Sequence, residues 1–426
     1  MVIGIDASRA NRHHKSGVEW YAYYLIRWFA KLDSKNKYIL YTDQPLRGGL
    51  LDLTGEQYMA DESCCEKTEY DKKGYQIIKS PHNNFKAKIL KWPFSCFWTQ
   101  GRMSLEMIFN RPDVLFVPSH TLPIIHPKRS IVTIHDVGFE KECHLYEGQK
   151  IGPEGNSKEK VLNFFVKLFT LGKYGANTID YLRWSTEYAL KHAYKIITVS
   201  NFSRKDLMDL YKADSEKIKV IYNGYNKTLY KNINDQKQVE NILSKYGITQ
   251  PYLFYVGRIE KKKNIPRLIE AFYVLKEKNK NIKEKLVLAG NAGNGYDEIK
   301  YQIQEFDLNN DVIMSGWLIE EDMPYLYNAA SAFVFPSNYE GFGIPLLQSM
   351  ACGTPIAASN TTSIPEIARE AALFFNPHNI KSMADSLEKI IIDKNLREDL
   401  IAKGYRNVEK FSWEKCAQET LKMILD

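Results

Sequence analysis

The chain has 426 residues, of which 44% are hydrophobic and 26% charged, and its formal net charge is +7. This composition is typical of a soluble globular protein, and a chain of this length predicts two domains rather than one. The charge favours an anionic ligand or surface but is too small to indicate a nucleic-acid partner, and no apolar run approaches the roughly 20 residues that span a bilayer.

The six cysteines show no CxxC or zinc-ligand spacing, and two of them, Cys64 and Cys65, are adjacent. This pattern favours reduced thiols over a disulfide framework. The first residues form a predicted strand over Val2–Ile5, so no signal peptide is expected. We therefore expect a cytoplasmic protein, with peripheral contact at the inner face of the plasma membrane as a further hypothesis.

The first half alternates short apolar runs with helical or polar segments. After the first strand, a polar loop containing Gly17 precedes a helix with apolar residues at helical spacing. Further strands are predicted at Tyr38–Tyr41, Gln76–Ile78, Val114–Val117, Ile131–Ile134, Lys195–Val199 and Ile218–Tyr222. This alternation predicts a parallel sheet covered on both faces, as in a Rossmann-like domain, although the GxGxxG dinucleotide pattern is absent.

Histidines follow two of these strands. His120 lies just after Val117, and His135 lies directly after Ile134. Ligands of open α/β sheets gather at the carboxyl ends of the strands, where both histidines fall. For His120 we favour a satisfied polar residue near the core. For His135, which has Asp136 beside it, the position favours a functional role.

The connection from Glu140 to Tyr194 is longer than a strand-to-strand crossover needs. Within it, Val161–Leu171 carries an apolar stripe flanked by lysines. One interpretation is a basic amphipathic helix that lies on an anionic membrane or contacts a lipid-bearing acceptor. The other is a helix packed on its own domain.

The polar segment from Lys227 to about Gln250 is predicted to connect the domains. Further strands are predicted at Tyr252–Val256, Leu286–Ala289, Val312–Met314, a run ending at Pro336, and Pro355–Ala358, with a last helix over Phe411–Ile424. After the first of these strands, Arg258 offers a forked donor and Lys263 a point charge, which together suit a diphosphate. We interpret Lys261 and Lys262 as solvated.

The turn after Pro336 carries Glu340, and Pro345 occupies the start of a helix that is expected to end near Gly353. A carboxylate beside a glycine-flanked helix N-terminus suits a phosphate or a sugar oxygen. The alternative is an ordinary strand–helix turn with one exposed glutamate. Gln348 lies about one turn into the helix, on a face that can look back toward Glu340.

Several short motifs occur in series along the chain. They are Ser16-Gly17-Val18, Ile134-His135-Asp136, Val199-Ser200-Asn201-Phe202-Ser203, Asn223-Gly224, Gly257-Arg258 with Lys263-Asn264, Glu340-Gly341-Phe342-Gly343-Ile344-Pro345, Ala351-Cys352-Gly353-Thr354-Pro355 and Ile364-Pro365-Glu366. In this order the series resembles the family 4 retaining glycosyltransferases. The resemblance covers nearly the whole chain, apart from Glu56–Asp71 and Glu140–Tyr194.

The resemblance implies a GT-B fold, an α/β architecture in which two Rossmann-like domains with parallel sheets face each other across a cleft. Residues 1–228 would form the acceptor-binding domain and residues 229–408 the nucleotide-sugar-binding domain. Residues 409–426 would form a helix that crosses back to the first domain.

The resemblance also implies roles for individual residues. Arg258 and Lys263 would neutralise the donor diphosphate, Glu340 would hydrogen-bond the transferred hexose, and His135 would contact the sugar near the reacting carbon. The implied donor-binding residues are Gly17, Gly257, Phe342, Gly343, Ile344 and Gln348. No metal or other cofactor is expected, because the cationic side chains and a helix dipole would supply the positive field.

One position departs from the family pattern. A second glutamate eight residues after the first would bind the nucleotide ribose, and this chain has Gln348 there. An amide oxygen accepts a hydroxyl hydrogen bond less strongly than a carboxylate does, so weaker ribose binding is expected.

The sequence thus predicts a retaining mannosyl- or glucosyltransferase that uses a GDP- or UDP-sugar. Its acceptor would be a glycan or a polyprenyl-linked molecule in cell-surface polysaccharide synthesis. Two alternatives stay open: a GT-B nucleotide-sugar epimerase and a non-catalytic nucleotide-sugar-binding protein. The base, the sugar and the acceptor are not identified by the sequence.

Overall fold

A computed structural model describes residues 1–55, 69–93, 97–143, 163, 166, 167 and 173–426. The chain divides into two compact units: unit 1 is Met1–Tyr222 with Trp413–Asp426, and unit 2 is Asn223–Ser412. Most of Val161–Leu171 lies outside the described residues, so neither interpretation of that segment is tested. Most of the Glu56–Asp71 loop and three cysteines (Cys64, Cys65 and Cys96) also lie outside them.

Unit 1 contains an eight-stranded sheet among its described residues. The strands are β1 (Val2–Asp6), β2 (Lys37–Thr42), β3 (Gln76–Ile77), β4 (Phe85–Ile89), β5 (Val114–Val117), β6 (Ser130–Ile134), β7 (Lys195–Thr198) and β8 (Ile218–Val220). They are ordered β3-β4-β2-β1-β5-β6-β7-β8, and all neighbours pair in parallel except β3 with β4. The predicted parallel sheet is confirmed. Strand β4 was not predicted, because Lys86 and Lys88 interrupt its apolar run.

The helices of unit 1 cover this sheet. They include α1 (Gly17–Leu32), α2 (Ser104–Phe109), α3 (Gly138–Lys141), α4 (Thr178–His192) and α5 (Asn201–Tyr211). Helix α1 begins with a capping box, in which Ser16 and Glu19 satisfy each other's backbone N–H groups. Helix α5 begins after Ser200, whose side chain accepts a hydrogen bond from the Ser203 N–H.

Unit 2 contains a six-stranded sheet in which every neighbouring pair is parallel. Its strands are β9 (Tyr252–Val256), β10 (Lys285–Ala289), β11 (Val312–Gly316), β12 (Ala332–Phe335), β13 (Ile356–Ser359) and β14 (Ala372–Phe375). The order β11-β10-β9-β12-β13-β14 makes β9 and β12 neighbours although they are not consecutive. From β9 the first strands are added toward one edge of the sheet, and from β12 the later strands are added toward the other edge. Open α/β sheets bind ligands at such a switch point.

The helices of unit 2 lie between and after these strands. They are α6 (Gln236–Lys245), α7 (Ile265–Lys278), α8 (Tyr296–Glu305), α9 (Met323–Ala329), α10 (Ile344–Cys352), α11 (Ile364–Ala368), α12 (Ile380–Ile392) and α13 (Lys394–Val408). Helix α6 was not predicted; it lies within the segment Lys227–Gln250, where the sequence analysis places the connection between the domains. It buries Val239, Ile242 and Leu243, an apolar stripe that the surrounding polar residues obscured, and it packs against α9.

The last helix, α14 (Trp413–Leu425), belongs to unit 1 and packs against α1. The rings of Tyr24 and Trp413 stack with their centroids 5.2 Å apart. No helix of the described residues has the length and apolar character that crossing a membrane requires. The described cysteines, Cys143, Cys352 and Cys416, are unpaired thiols, as expected.

Candidate functional site

Two predicted site residues of unit 2 contact each other directly. Lys263 Nζ lies 2.7 Å from Glu340 Oε1, and the two side chains are 21% and 13% exposed. Lys263 ends a short 3-10 turn after β9, and Glu340 lies in the turn after β12. Because β9 and β12 are adjacent parallel strands, their carboxyl ends bring the two side chains together at the switch point.

Asn264 fixes the turn that carries Lys263. Its backbone has φ of 62°, in the left-handed region that asparagine tolerates. Its Nδ2 donates to the carbonyl oxygens of Pro336, at 3.0 Å, and Pro377, at 2.9 Å. The first of these contacts joins the lysine turn to the end of the strand that leads to Glu340. Sequence reasoning treated Asn264 only as part of a motif and missed this positioning role.

Hydroxyl groups of the loop after β13 fix the backbone around Glu340. Ser363 Oγ donates to the Glu340 carbonyl at 2.8 Å, and the Glu340 N–H donates to Thr362 Oγ1 at 3.2 Å. The backbone of Glu340 is therefore held on both sides. Hydroxyl groups of this loop therefore lie at the same edge of the sheet as Glu340.

Helix α10 places its N-terminus next to this turn. Gly343, just before the helix, has φ of 96°, and a Cβ there would lie 2.9 Å from Leu346 Cδ1. A side chain at this position would therefore be both strained and crowded. Pro345 has no N–H and the Leu346 N–H donates to the Gly343 carbonyl at 3.0 Å, so Ile344 provides the first N–H at the positive end of the helix dipole. This end of α10 follows the turn that carries Glu340, and its polarity suits an anion.

Arg258 follows β9 but does not take part in the Lys263–Glu340 contact. Its side chain is 66% exposed, and its Nε lies 3.7 Å from Glu260 Oε2, a loose surface pair. Gly257 has φ of 152°, and a Cβ there would lie 2.6 Å from Tyr255 Oη. The Tyr255 hydroxyl donates to the Arg258 carbonyl at 3.0 Å. The backbone is thus fixed, while the guanidinium group is largely exposed to solvent.

Gln348 is turned toward the interior of unit 2 and is only 8% exposed. The hydroxyl of Tyr327, in α9, donates to its Oε1 at 3.3 Å. This contact uses one of the two lone pairs of the amide oxygen, so the second lone pair and the NH₂ group remain for a ligand.

His135 lies in unit 1, directly after β6. Its Nε2 is 3.1 Å from the Pro118 carbonyl, so Nε2 carries the proton and Nδ1 is an acceptor. Burial lowers the pKa of His135, which keeps the ring neutral. The ring packs edge-to-face on Tyr21 at 4.8 Å. Gly17, also in unit 1, is the first residue of α1.

Unit 1 also contains a cavity of about 430 Å³ that sequence reasoning missed. We call it the unit 1 pocket; its lining includes Asp6, Arg9, Trp98, Gln100, His120 and Tyr181. Asp6 ends β1 and His120 follows β5, so the strand-end rule that singled out His135 could have found it. The His120 ring makes no hydrogen bond to the described residues, contrary to the expectation of a satisfied polar residue.

Burial lowers the pKa of His120 to about 4, so its ring is neutral near pH 7. Burial also raises the pKa of Asp6, although the Ser8 hydroxyl and N–H oppose that rise. Among the described residues, no group of three or more His, Cys, Asp or Glu side chains is arranged to hold a metal ion.

Comparison with known proteins gives consistent results for both units. Residues 220–407 match the family model described as Glycosyl transferases group 1, and residues 15–229 match Glycosyltransferase Family 4. The O-antigen chain mannosyltransferase B of Escherichia coli is 30% identical to this chain over 319 residues, which cover 74% of this chain and 81% of that protein.

Two solved structures share the fold. Sucrose-phosphate synthase from Thermosynechococcus elongatus superposes with a TM-score of 0.70 at 17% identity, over 99% of this chain and 98% of that one. The structure of Anabaena HepE in complex with UDP and glucose superposes with a TM-score of 0.66 at 15% identity, over 100% of this chain and 99% of that one. The two parallel-sheet units are therefore those of a GT-B protein, and the predicted fold class is confirmed.

Proposed function

The chain belongs to glycosyltransferase family 4, and from that membership we propose that it is a retaining mannosyltransferase. It would move a mannosyl group from a nucleoside-diphosphate mannose to a glycan or polyprenyl-linked acceptor in cell-surface polysaccharide synthesis. The name of the Escherichia coli relative supports the sugar and the process. The nucleotide complex of HepE supports a nucleotide-sugar donor.

The observation that carries this proposal is the contact between Lys263 and Glu340 at the N-terminus of α10. In the structure the Lys263 ammonium group and the Glu340 carboxylate neutralise each other. A bound donor offers each of the two groups a better partner. Its diphosphate attracts the ammonium group of Lys263, and its sugar hydroxyls donate to the carboxylate of Glu340. Arg258 can swing from solvent onto the same diphosphate, where its planar fork suits two phosphate oxygens.

In the proposed reaction the bond between sugar C1 and the diphosphate oxygen breaks, and its electron pair leaves with the phosphate. The acceptor hydroxyl oxygen bonds to C1 on the same face, and its proton passes to the departing phosphate oxygen. Lys263, Arg258 and the N–H groups from Phe342 to Ile344 would stabilise the charge that develops there, without a metal ion.

The remaining predicted residues would position the donor. Neutral His135 presents an acceptor at Nδ1, which suits a sugar hydroxyl near C1. The amide group of Gln348 would hydrogen-bond the ribose of the nucleotide. Gly17 and Gly257 would let their loops approach the diphosphate closely.

Incubating the full chain with GDP-mannose, GDP-glucose and UDP-glucose tests the proposal. We expect nucleotide release from GDP-mannose, undiminished by EDTA, and an α-configured product by NMR when an acceptor is present. An isomerised donor would instead identify an epimerase. Binding without turnover would identify a non-catalytic nucleotide-sugar-binding protein, and either result would overturn the proposal.

A further inference from the structure

We propose that the unit 1 pocket binds a neutral hexose unit of the acceptor glycan. This inference rests on the proposed function, because it assigns a place to the second substrate of that reaction. Its volume of 430 Å³ falls within the roughly 300–1,000 Å³ of typical small-molecule sites. All its lining residues belong to unit 1.

An aromatic wall forms one side of the pocket. It consists of Phe97, Trp98 and Tyr181, and other parts of unit 1 hold each ring in place. Trp98 Nε1 donates to the Leu90 carbonyl at 2.8 Å. Phe97 packs edge-to-face on Tyr181 at 6.0 Å. Rings fixed in this way present flat apolar faces, which suit the C–H face of a pyranose and lose little entropy on binding.

The backbone of Phe97 supports the same conclusion. Its φ is 59°, in the left-handed region that a bulky aromatic residue rarely adopts. Such a conformation costs about 1–3 kcal/mol in general and persists where the surroundings impose it, frequently in ligand-binding sites. Here it accompanies the placement of the aromatic ring against the pocket.

Polar groups that line the pocket have unused hydrogen-bonding capacity. Both hydrogen bonds that Asp6 accepts from Ser8 end on Oδ1, which leaves Oδ2 for a ligand. Gln100 is 7% exposed and donates from Nε2 to the Tyr181 hydroxyl at 2.8 Å, while its Oε1 has no partner. The His120 ring likewise has no hydrogen bond to the described residues. Acceptors and a neutral imidazole of this kind match sugar hydroxyls, which both donate and accept.

The charges of the pocket favour a neutral ligand over a phosphate. Arg12 is paired with Asp43 at 3.1 Å, and both line the pocket. Arg9 lies 3.6 Å from Glu19. Asp6 adds a buried carboxyl group that would oppose an anion. Because the arginines are already paired, the diphosphate of a polyprenyl carrier would find no uncompensated cation among these groups.

The pocket also lies next to the proposed donor-contacting residue of unit 1. His120 and His135 follow the adjacent strands β5 and β6, and the His135 ring is close enough to contribute to the lowered pKa of His120. A hexose held against the aromatic wall would therefore lie at the strand-end edge that also carries His135.

Titration of the full-length protein with methyl α-D-mannopyranoside, followed by saturation-transfer NMR, tests the assignment. We expect sugar signals from the wild-type protein, about fivefold weaker binding for His120→Ala, and about tenfold weaker binding for Tyr181→Ala. His120→Asn and Tyr181→Phe keep a polar group or an aromatic ring and should retain most of the binding. Inorganic pyrophosphate should not displace the sugar.

Tyr301→Ala, at a residue that is 67% exposed in α8, serves as the matched control and should bind like the wild-type protein. If Tyr181→Ala lowers the melting temperature, the His120→Ala variant becomes the deciding test of sugar binding. The His120 ring makes no hydrogen bond to the described residues, so its removal breaks no such bond in the fold. Binding that is equal in wild type and His120→Ala, or displacement by pyrophosphate, would overturn this inference alone. Absence of donor hydrolysis by the wild-type protein would instead overturn the proposed function.

Discussion

The two units hold their strand-end carboxyl groups in opposite ways. In unit 2, Glu340 is paired with Lys263 at 2.7 Å. In unit 1, Asp6 accepts hydrogen bonds only from Ser8 among the described residues, and burial raises its pKa. The first arrangement places a cation against a carboxylate, which suits a ligand with separate charged and hydroxylated parts. The second offers a carboxyl oxygen with no cation in contact among the described residues, which suits the hydroxyl groups of a neutral ligand.

The largest effect is expected from removing the cation of unit 2. Lys263→Ala should lower the rate of GDP-mannose hydrolysis by about 10²–10³, the usual cost of deleting one group that stabilises a developing charge. Nucleotide release measured at saturating donor checks this.

The matched control is Lys262→Ala, one residue away in the same 3-10 turn. Its side chain is not part of the proposed site, so the hydrolysis rate should remain within about twofold of wild type, as for most surface changes. Equal losses in the two variants would show that the general positive charge of the turn, rather than the Lys263–Glu340 geometry, determines the rate.

A smaller loss is expected from the carboxylate itself. Glu340→Gln keeps the size of the side chain but removes its charge, so its hydrogen bonds to the sugar hydroxyls weaken and Lys263 loses its partner. We expect about a 10²-fold lower kcat/KM for the donor, roughly 3 kcal/mol, with Glu340→Ala more severe. Initial-rate kinetics measure both. An undiminished rate in Glu340→Ala would remove Glu340 from the site.

Much of the fold could be predicted from the sequence because most of its strands are continuous apolar runs. Val114–Val117 and Tyr252–Val256 are buried on both faces of their sheets, and their predicted bounds match the structure. Prediction failed for Phe85–Ile89, whose lysines alternate with apolar residues in a strand near the sheet edge. It also failed for Gln236–Lys245, a helix whose three buried side chains lie among polar residues.

For the site, the sequence identified groups but not their contacts. The turns that carry Lys263 and Glu340 were visible as local patterns, yet their 2.7 Å contact depends on β9 and β12 being neighbours, which chain order does not show. The unit 1 pocket was missed for the same reason. It combines residues from distant segments, such as Asp6, Trp98 and Tyr181, none of which is distinctive alone.

A third test in unit 2 concerns Gln348, whose amide oxygen already accepts one hydrogen bond from the Tyr327 hydroxyl. Gln348→Glu conserves size and can still accept that hydrogen bond, while its second oxygen gives the ribose a charged acceptor. We expect donor affinity to rise about five- to tenfold, as charge-assisted hydrogen bonds exceed neutral ones by about 1 kcal/mol. Calorimetric titration with GDP measures this. Unchanged affinity would contradict a ribose contact at this position.

The smallest effect is expected at Glu320, the carboxyl group of unit 2 that resembles Asp6 rather than Glu340. The Tyr230 hydroxyl donates to its Oε1 at 2.6 Å, and burial raises its pKa from 4.5 to about 7. Between these two pH values Glu320 is protonated in the folded protein and ionised in the unfolded chain, so the folded protein binds more protons. The free energy of unfolding therefore falls as the pH rises from about 4.5 to about 7, and this group causes no further change above that range. Glu320→Gln removes this titration and can still accept the Tyr230 hydrogen bond.

The variant should therefore be more stable than the wild-type protein at pH 8, and the gain should shrink toward pH 5. We expect a gain of about 1 kcal/mol in the free energy of unfolding, because solvent partly screens this residue. Urea unfolding at pH 5, 6.5 and 8 measures the difference. Glu305→Gln, at an exposed residue that ends α8, is the control and should show no such pH-dependent gain. A constant difference across the three pH values would mean that packing, rather than protonation of Glu320, separates the two proteins.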